Sequence, residues 1–393
     1  MSESYDVIVV GLGAMGSATS YHLARRGARV LGLEQFAPGH TLGSSHGDSR
    51  IIRELYFENP LYVPLVRRAY ELWGQLEEET GTDLLRHTGG LMIGLPTSEL
   101  VRGALLSGEA HGIPAAVLTH DEISSRFPAF RPPAGYVAVW DERAGYLRPE
   151  ACTEAHATLA RHGGAVLRYD EPMTRWEPDG DGVRVTTPMG AYRAARLVLC
   201  VGAWTKGVLA ELELPLSVER QVLVWLEAPA PAEWYGEGSF PIFIAELEDG
   251  RQFYGFPRLE RGVKMSIYHD GRLYDEPGSV EREVMPADID ALRGALGRVL
   301  PDLSAAAVRA SVTCLFTNTP DRHFLVDFHP RHPQVLLSSP CSGHGFKFAS
   351  AIGELQADLV LDGRARLDPR SFGLARWTTG SGLASCITPP SAA

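Results

Sequence analysis

The segment 44–53 concentrates charged and polar side chains that could bind an anion. Its sequence, Ser-Ser-His-Gly-Asp-Ser-Arg-Ile-Ile-Arg, brings His46, Arg50 and Arg53 close together. Two guanidinium groups can hold a substrate carboxylate or compensate a negatively charged cofactor. Because the arginines are three positions apart, a single helical turn would direct both to the same side. The alternative interpretation is an ordinary solvated loop that precedes a helix.

A lysine inside a strand-like segment is a second candidate. In Val-Lys-Met-Ser-Ile-Tyr, strand alternation places Lys264 and Tyr268 on the face opposite to Val263. Tyr254 and Phe256 likewise share one face of the preceding strand. The ordinary explanation is that this face is exposed to water. The alternative is that it lines a cavity, in which the lysine cation would lie beside a reactive cofactor.

A glycine-rich junction near the N-terminus predicts a nucleotide site. Residues 11–16, Gly-Leu-Gly-Ala-Met-Gly, follow a short apolar strand and open a helical stretch. A second strand over 28–33 then ends at Glu34, which comes 23 positions after Gly11. Strand, glycine loop, helix, strand and acidic residue in this order are typical of the βαβ unit of a dinucleotide site.

Each residue type in this unit has a physical role in binding a dinucleotide. Gly11 permits the tight turn, Gly13 lets the backbone approach a pyrophosphate, and Gly16 lets the helix pack closely on the sheet. The helix N-terminus offers free N–H groups and a partial positive charge to phosphates. Glu34 can accept hydrogen bonds from ribose hydroxyls and disfavours a 2′-phosphate. The alternative is a glycine-rich turn in some other α/β protein.

A second glycine-rich junction, Ser-Gly-His-Gly-Phe-Lys at 342–347, lies where a strand ends and a helix begins. Cofactors in open α/β sheets lie outside the carboxyl ends of the strands, so this loop is a candidate second contact. Cys314 is by default a buried apolar residue, and its spacing alone indicates nothing more.

Composition limits the classes of protein. The length of 393 residues predicts two or three domains. The net charge of −11 argues against a nucleic-acid groove and against docking on an anionic membrane. No apolar run approaches the roughly 20 residues of a membrane span, and no signal peptide is recognisable. Five scattered cysteines favour a reducing compartment, so we expect a cytoplasmic enzyme without a metal site.

The order of elements predicts two interleaved domains. Parallel-type strands and helices towards both ends of the chain indicate an α/β, Rossmann-like domain, whereas antiparallel strands within 242–268 indicate an α+β second domain inserted into the first. The predicted ranges are 1–85, 145–215 and 311–377 for the dinucleotide-binding domain, 86–144 and 216–310 for the substrate domain, and 378–393 for a mobile tail.

Four motifs together resemble the flavin-dependent amine oxidases of the monomeric sarcosine oxidase family, which includes N-methyltryptophan oxidase. The resemblance extends from Tyr5 to about Phe372. The motifs are Gly-Ser-Ser-His-Gly-Asp-Ser-Arg-Ile-Ile-Arg at 43–53, Gly-Phe-Pro at 255–257, Cys314 with Asp-Arg-His-Phe at 321–324, and Ser-Gly-His-Gly-Phe-Lys-Phe at 342–348.

The resemblance implies FAD as the cofactor, with its ADP half on the first glycine loop and its isoalloxazine ring between the two domains. Cys314 matches the cysteine that holds the flavin covalently in this family. The residues implied to contact the cofactor are Gly11, Gly13, Ala14, Met15, Gly16, Glu34, Ser44, Arg50, Met173, Gly202, Trp204, Cys314, Gly343, His344, Gly345 and Lys347.

The resemblance also implies catalytic roles. Lys264 matches the family lysine that activates dioxygen, where a fixed cation stabilises developing negative charge. Arg50 matches an arginine beside the flavin, and Arg53 with Lys347 matches the pair that binds the amino-acid carboxylate. The implied catalytic residues are Lys264, Arg50, His46, Tyr254 and His269.

Four positions depart from the family pattern. Tyr268 stands where a histidine is usual, and His269 follows it. Ser45 replaces a common second histidine, and Phe316 stands where the sarcosine enzymes carry tyrosine. Cys341 replaces an apolar residue. These departures lie mainly on the substrate side, so they leave the cofactor machinery intact and the choice of substrate open.

The implied reaction is oxidation of the C–N bond of a secondary amino acid, such as sarcosine or another N-methyl amino acid. The imine product hydrolyses, and O₂ is reduced to H₂O₂. Cyclic imino acids such as proline and pipecolate are alternative substrates. Alternative functions are a flavin dehydrogenase with another electron acceptor, an NAD-dependent dehydrogenase and a non-catalytic dinucleotide sensor. We expect a monomer whose partners are the small substrate and O₂.

Overall fold

A computed structural model describes residues 4–378, so the predicted mobile tail lies outside the described residues except for Thr378. The first ten strands are β1 Ser4–Val10, β2 Val30–Leu33, β3 Arg50–Ile52, β4 Leu85–His87, β5 Gly90–Gly94, β6 Ala116–Thr119, β7 Val137–Asp141, β8 Gly145–Leu147, β9 Val166–Arg168 and β10 Arg175–Asp179. The other strands are β11 Gly182–Thr187, β12 Gly190–Leu199, β13 Ser217–Leu226, β14 Ile242–Glu246, β15 Gln252–Leu259, β16 Gly262–Tyr268, β17 Leu273–Tyr274, β18 Val308–Asn318, β19 Leu325–His329 and β20 His332–Ser339.

Ten α-helices are described in this part of the chain. They are α1 Ala14–Arg25, α2 Val63–Thr80, α3 Glu99–His111, α4 His120–Arg126, α5 Pro149–His162, α6 Thr205–Val208, α7 Pro286–Val299, α8 Pro301–Ser304, α9 Ala349–Asp362 and α10 Ala375–Thr378. Within residues 4–378, none of these helices has the length and apolar character to cross a membrane.

The first sheet has a parallel centre in the order β9-β2-β1-β12-β20, and β10, β11 and β19 extend it with antiparallel pairs. Strand alternation divides β1 between two cores. Val7 and Val9 pack with residues of α1, α2 and α9, whereas Ile8 and Val10 pack with apolar residues on the opposite face. Burial on both faces explains why β1 is an almost continuous apolar run.

The second sheet has the order β17-β13-β16-β15-β14-β5-β7-β6, and β18 pairs with β13. Its pairs are antiparallel except for β14 with β5. Val263 and Met265 of β16 belong to the core under one face, together with Leu292 and Leu296 of α7. Lys264 lies between them in the strand and therefore faces the first sheet.

These sheets confirm the predicted fold class: a Rossmann-like α/β unit with an interleaved, largely antiparallel second sheet. The predicted domain ranges remain a prediction. One strand crosses a predicted boundary, because β18 begins before residue 311 and pairs with β13 along its length. The second sheet thus carries Cys314, which the predicted ranges assign to the first domain.

Candidate active site

A cavity of about 570 Å³ lies between the carboxyl ends of the first sheet's parallel strands and the inner face of the second sheet. It brings together most of the predicted site residues. Those that line it are Gly11, Gly13, Ala14, Met15, Glu34, Ser44, Arg50, Arg53, Met173, Gly202, Trp204, Tyr254, Cys314, Gly343, His344, Gly345 and Lys347. Four predicted residues lie outside its lining: Gly16, His46, Lys264 and His269.

The first glycine loop is shaped for close approach of a ligand. A Cβ on Gly11, whose φ is +87°, would lie 2.4 Å from the Cys200 carbonyl oxygen. A Cβ on Gly16 would lie 1.8 Å from the Gly11 carbonyl oxygen, so Gly16 permits the close packing of the turn behind the cavity wall. A Cβ on Gly13 would meet only Ser45 Oγ, at 3.2 Å. Gly11 and Gly16 therefore make the turn possible, while Gly13 leaves the wall of the cavity open.

Glu34 directly follows β2, and its carboxylate is fixed by backbone donors. Its Oε2 accepts from Leu12 N–H at 2.8 Å and its Oε1 from Phe36 N–H at 3.1 Å. The residue is buried yet lines the cavity. A carboxylate held in this way is suited to accept hydrogen bonds from a ribose.

Arg50 lies in a strand, so the prediction of one helical turn for the two arginines is wrong. Residues 50–52 form β3, which pairs with β8 in a three-stranded sheet. Arg50 donates to the Ser44 and Ser49 carbonyl oxygens, each at 2.8 Å, and its Nη2 lies 3.6 Å from Cys314 Sγ. Arg50 and Arg53 both reach the cavity, but each has its own partners.

Arg53 is buried in an ion pair that the sequence did not predict. Its Nη2 donates to the Glu58 carboxylate at 2.7 and 2.5 Å, and its guanidinium carbon lies 4.2 Å from the centre of the Tyr56 ring. Burial alone would raise the pKa of Glu58, but the Arg53 charge and hydrogen bond, together with the His344 and Lys347 charges, outweigh it and the pKa is lowered. Glu58 lines the cavity as well, so it is anionic beside the predicted carboxylate site.

Lys347 lies near the same aromatic ring. Its Nζ is 5.4 Å from the centre of the Tyr56 ring and donates to the His344 carbonyl oxygen at 2.8 Å. Burial, assisted by the Arg53 charge, lowers its pKa to about 7. The His344 ring is fixed between Tyr56 OH, at 2.6 Å, and the Arg322 carbonyl oxygen, at 3.0 Å. The two predicted carboxylate-binding cations therefore lie together.

Lys264 lies just behind the wall of the cavity. Its Nζ donates to the Gly47 and Ser49 carbonyl oxygens, each at 2.6 Å, and to Ser49 Oγ at 3.1 Å. It is 4.5 Å from the centre of the Phe256 ring, which lines the cavity. Burial, and then the Arg50 charge, hold the pKa of Lys264 well below its usual range. Lys264 is predicted to face the cavity, but the side chain of Phe256 separates it from the cavity.

The two predicted catalytic histidines also lie outside the lining. His46 is buried, and its Nε2 has no hydrogen-bond partner among residues 4–378. Burial, then the Arg50 and Lys264 charges, lower its pKa to about 3. His269 follows β16 in a left-handed conformation, with φ of 55°, and its Nδ1 lies 2.9 Å from a buried carboxylate of Glu219. Tyr268, the last residue of β16, lines the cavity in its place.

Glu58, Glu150 and Glu219 are site residues that motif reading missed. Their partners are 5, 103 and 50 positions away in the chain, and none of the three lies in a motif that the sequence analysis singled out. One compositional signal was available. Of the 37 basic residues only three are lysines, and two of these, Lys264 and Lys347, are buried at or behind the cavity wall.

Comparison with known proteins agrees with this geometry. A family described as FAD dependent oxidoreductase matches residues 6–359. The chain belongs to this FAD-dependent oxidoreductase family. It is 44% identical to a monomeric sarcosine oxidase of Streptomyces avermitilis, over 95% of the chain and 100% of that protein. It is 33% identical to N-methyl-L-tryptophan oxidase of Escherichia coli, over 95% of the chain and 99% of that protein.

A solved structure shows the same fold. The oxidase NikD, described as an unusual amino acid oxidase essential for nikkomycin biosynthesis, superposes with a TM-score of 0.81 at 28% identity. The alignment covers 95% of this chain and 98% of that chain. The predicted resemblance to the sarcosine oxidase family and the predicted flavoenzyme class are thereby confirmed. The Gly11–Gly16 turn, the open wall at Gly13 and Glu34 fit FAD.

Proposed function

We propose that the protein is an oxidase of secondary amino acids, with sarcosine or another N-methyl amino acid as substrate. One observation carries the proposal. A single cavity is lined at one end by a dinucleotide cradle and at the other by Arg53, Lys347 and aromatic side chains, with Lys264 behind its wall. The sequence relatives named for oxidation of sarcosine and N-methyl-L-tryptophan support the same reading.

FAD, when bound, supplies the two-electron chemistry, in which it accepts electrons from the C–N bond and passes them to O₂. The amine loses two electrons and two protons and becomes an imine, which water hydrolyses to an amine and a carbonyl compound. The two electrons and two protons convert O₂ to H₂O₂. The protein's own contribution is to bind the substrate, orient it and place charges around the reacting atoms.

Arg53 and Lys347 are proposed to bind the substrate carboxylate. Both cations lie at the Tyr56 ring and both line the cavity. Glu58 already neutralises the charge of Arg53. As long as these two residues remain paired, the attraction for a substrate carboxylate comes from the Lys347 ammonium. Tyr254, Tyr268 and Phe316 form the aromatic wall for the rest of the substrate.

Lys264 is proposed to promote the reaction with O₂. The Gly47 and Ser49 carbonyl oxygens fix its amine behind Phe256, where positive charge would stabilise the negative charge that forms on oxygen. Arg50, which donates to the same Ser49 carbonyl oxygen, adds a second fixed charge beside Cys314. This arrangement favours an oxidase over a dehydrogenase that uses another electron acceptor.

Cys314 is proposed to hold the flavin covalently. The thiol is buried in the lining, and its Sγ lies 3.6 Å from Arg50 Nη2. A thioether would replace the S–H bond and one C–H bond of the flavin methyl group, and O₂ would take up the two electrons released.

The tether has a direct test. Acid precipitation of the purified protein should leave the yellow colour in the pellet, whereas Cys314→Ala should release it to the supernatant. Cys341→Ala is the matched control, because Cys341 also lines the cavity and its loss should leave the colour in the pellet. Yellow colour in the supernatant of the wild-type protein would show that the flavin is not covalently bound.

The function is tested by a peroxide-coupled screen over sarcosine, N-methyltryptophan, other N-methyl amino acids, proline and pipecolate. We expect H₂O₂ with at least one N-methyl amino acid. Peroxide with proline or pipecolate alone would redirect the proposal to cyclic imino acids. Flavin reduction without peroxide would indicate a dehydrogenase. We further expect a monomer, as in the relative named monomeric sarcosine oxidase, and cytoplasmic location remains a prediction.

A further inference from the structure

The turn formed by residues 47–49 holds two cations at once, the buried Lys264 and the half-buried Arg50. Lys264 Nζ donates to the Gly47 and Ser49 carbonyl oxygens, each at 2.6 Å, and Arg50 Nη1 donates to the same Ser49 oxygen at 2.8 Å. A Cβ on Gly47 would lie 3.5 Å from Arg50 Nη1 and 3.8 Å from Lys264 Nζ. The position of this turn therefore sets the position of both charges.

The backbone of the turn is one that needs external support. Gly47 has φ of +98°, and Asp48 has φ of +65°, the left-handed region that residues other than glycine rarely adopt. The support comes from Glu150, in the first turn of α5. Its Oε1 accepts from Gly47 N–H at 2.6 Å and from Asp48 N–H at 3.2 Å. The carboxylate thus binds the amide side of the turn, while the carbonyl side binds the cations.

The negative charge of Glu150 also acts on the lysine. Burial and the Arg50 charge lower the pKa of Lys264, and nearby carboxylates oppose this shift. The ionisable groups that face Lys264 are Arg50, His46, Asp48, Cys314 and Glu150. Removal of one negative charge from this set shifts the balance towards the neutral amine.

We infer that Glu150 is a positioning residue for the reaction with oxygen, because it holds the turn 47–49 whose carbonyl groups fix Lys264 and Arg50. The inference rests on the role proposed above for Lys264. Glu150 lies 103 positions from Gly47 in the chain, and its carboxylate acts on both cations through the two N–H groups of the turn.

The chain's few lysines allow a readout that does not depend on turnover. Lysine labelled with ¹³C at Cε gives three side-chain signals in the holoenzyme, from Lys206, Lys264 and Lys347. Lys206→Arg and Lys264→Met each remove one signal and so assign the spectrum. A pH titration then follows the Lys264 amine itself.

Two variants separate the carboxylate's geometry from its charge. Glu150→Gln keeps an acceptor oxygen without the charge, and we expect the Lys264 titration midpoint to fall by about one pH unit. Glu150→Ala removes both, and we expect reoxidation of the reduced enzyme by O₂ to slow about tenfold while reduction by substrate stays within about twofold. Glu109→Gln, at an exposed glutamate, is the matched control and should change neither measurement.

Unchanged Lys264 titration in both variants, with unchanged reoxidation, would overturn the inference. If Glu150→Ala does not fold, Glu150→Asp decides the matter, because it keeps the charge but withdraws the carboxylate from the turn by one methylene group. Unchanged reoxidation by O₂ in that variant contradicts the inference. The variant Lys264→Met separates the proposed role of Lys264 from the inferred role of Glu150. Wild-type reoxidation in Lys264→Met would remove the proposed role of Lys264, whereas slow reoxidation there with no effect of Glu150 would remove only the role of Glu150.

Discussion

Lys347 and Arg53 meet at one aromatic ring, but only one of them titrates near neutral pH. Lys347 Nζ is bound by a single carbonyl oxygen, and burial lowers its pKa to about 7. Arg53 is held by Glu58 and keeps its charge. The strength of carboxylate binding is therefore coupled to the protonation of Lys347.

Binding of a carboxylate should weaken as the pH rises through about 7, since the ammonium form exists below the pKa and the neutral amine above it. Acetate is a suitable ligand because it has no amine of its own to titrate. Its inhibition constant against the amino-acid substrate should increase on the alkaline side in the wild-type enzyme. Lys347→Arg stays charged, so its inhibition constant should be independent of pH. A wild-type constant that does not change with pH would contradict the role of Lys347.

Residues in continuous motifs could be predicted, and residues that act through partners far along the chain could not. Gly13, Glu34 and Lys347 line the cavity as expected, because each belongs to a local pattern of strand, turn and helix, whereas Cys314 is expected there only from the family resemblance. Glu150 carries no motif of its own, and its function depends on a turn that only the folded chain brings to it.

At the scale of elements, local units were predictable and non-local pairing was not. The β1–α1–β2 unit follows from adjacent residues, and the structure has it as expected. The segment 50–53 looked equally suited to a helical turn, because spacing alone cannot show that β3 pairs with residues 145–147. That pairing directs Arg50 to Cys314 and leaves Arg53 to Glu58.

The glycine loop of this unit supports a graded prediction. Gly16→Ala should prevent stable folding, because its Cβ would lie 1.8 Å from the Gly11 carbonyl oxygen. Gly13→Ala should fold, since its Cβ would meet only the Ser45 hydroxyl, but it should bind FAD more weakly by about tenfold or more, as a methyl group then projects into the cavity. Yield of soluble protein and FAD content measure the two effects. Equal behaviour of the two variants would contradict the distinct roles assigned to these glycines.

At the scale of the whole molecule, a net charge of −11 coexists with a cluster of cations between the two sheets. Arg50, Arg53, Lys264 and Lys347 come from three different parts of the chain and converge only on folding. Neither sheet alone forms this site, because the first supplies the dinucleotide cradle and the second supplies Lys264 and Cys314. The interleaved order of strands is thus a requirement of the site.

Buried histidines make the stability of the whole molecule sensitive to acid. Burial lowers the pKa of His22 to about 4 and that of its neighbour His156 well below its usual range. The unfolded chain therefore binds more protons than the folded one once the pH falls below about 6.5. Stability should be full above that pH and should fall between about 6.5 and 4.

Urea unfolding at several pH values measures this effect. His22→Gln removes one of the titrating groups, so its free energy of unfolding should fall less steeply with acid than that of the wild type. His162→Gln, at an exposed histidine, is the control and should keep the wild-type slope. A His22→Gln slope equal to that of the wild type would show that His22 does not couple to folding in this pH range.

The most direct test of the account mixes the purified yellow enzyme with an N-methyl amino acid in the absence of oxygen and then adds O₂. The visible flavin absorption should bleach on the first mixing and return on the second, with one H₂O₂ formed for each flavin reoxidised. An enzyme whose absorption is unchanged by every secondary amino acid in the screen would contradict the proposed function.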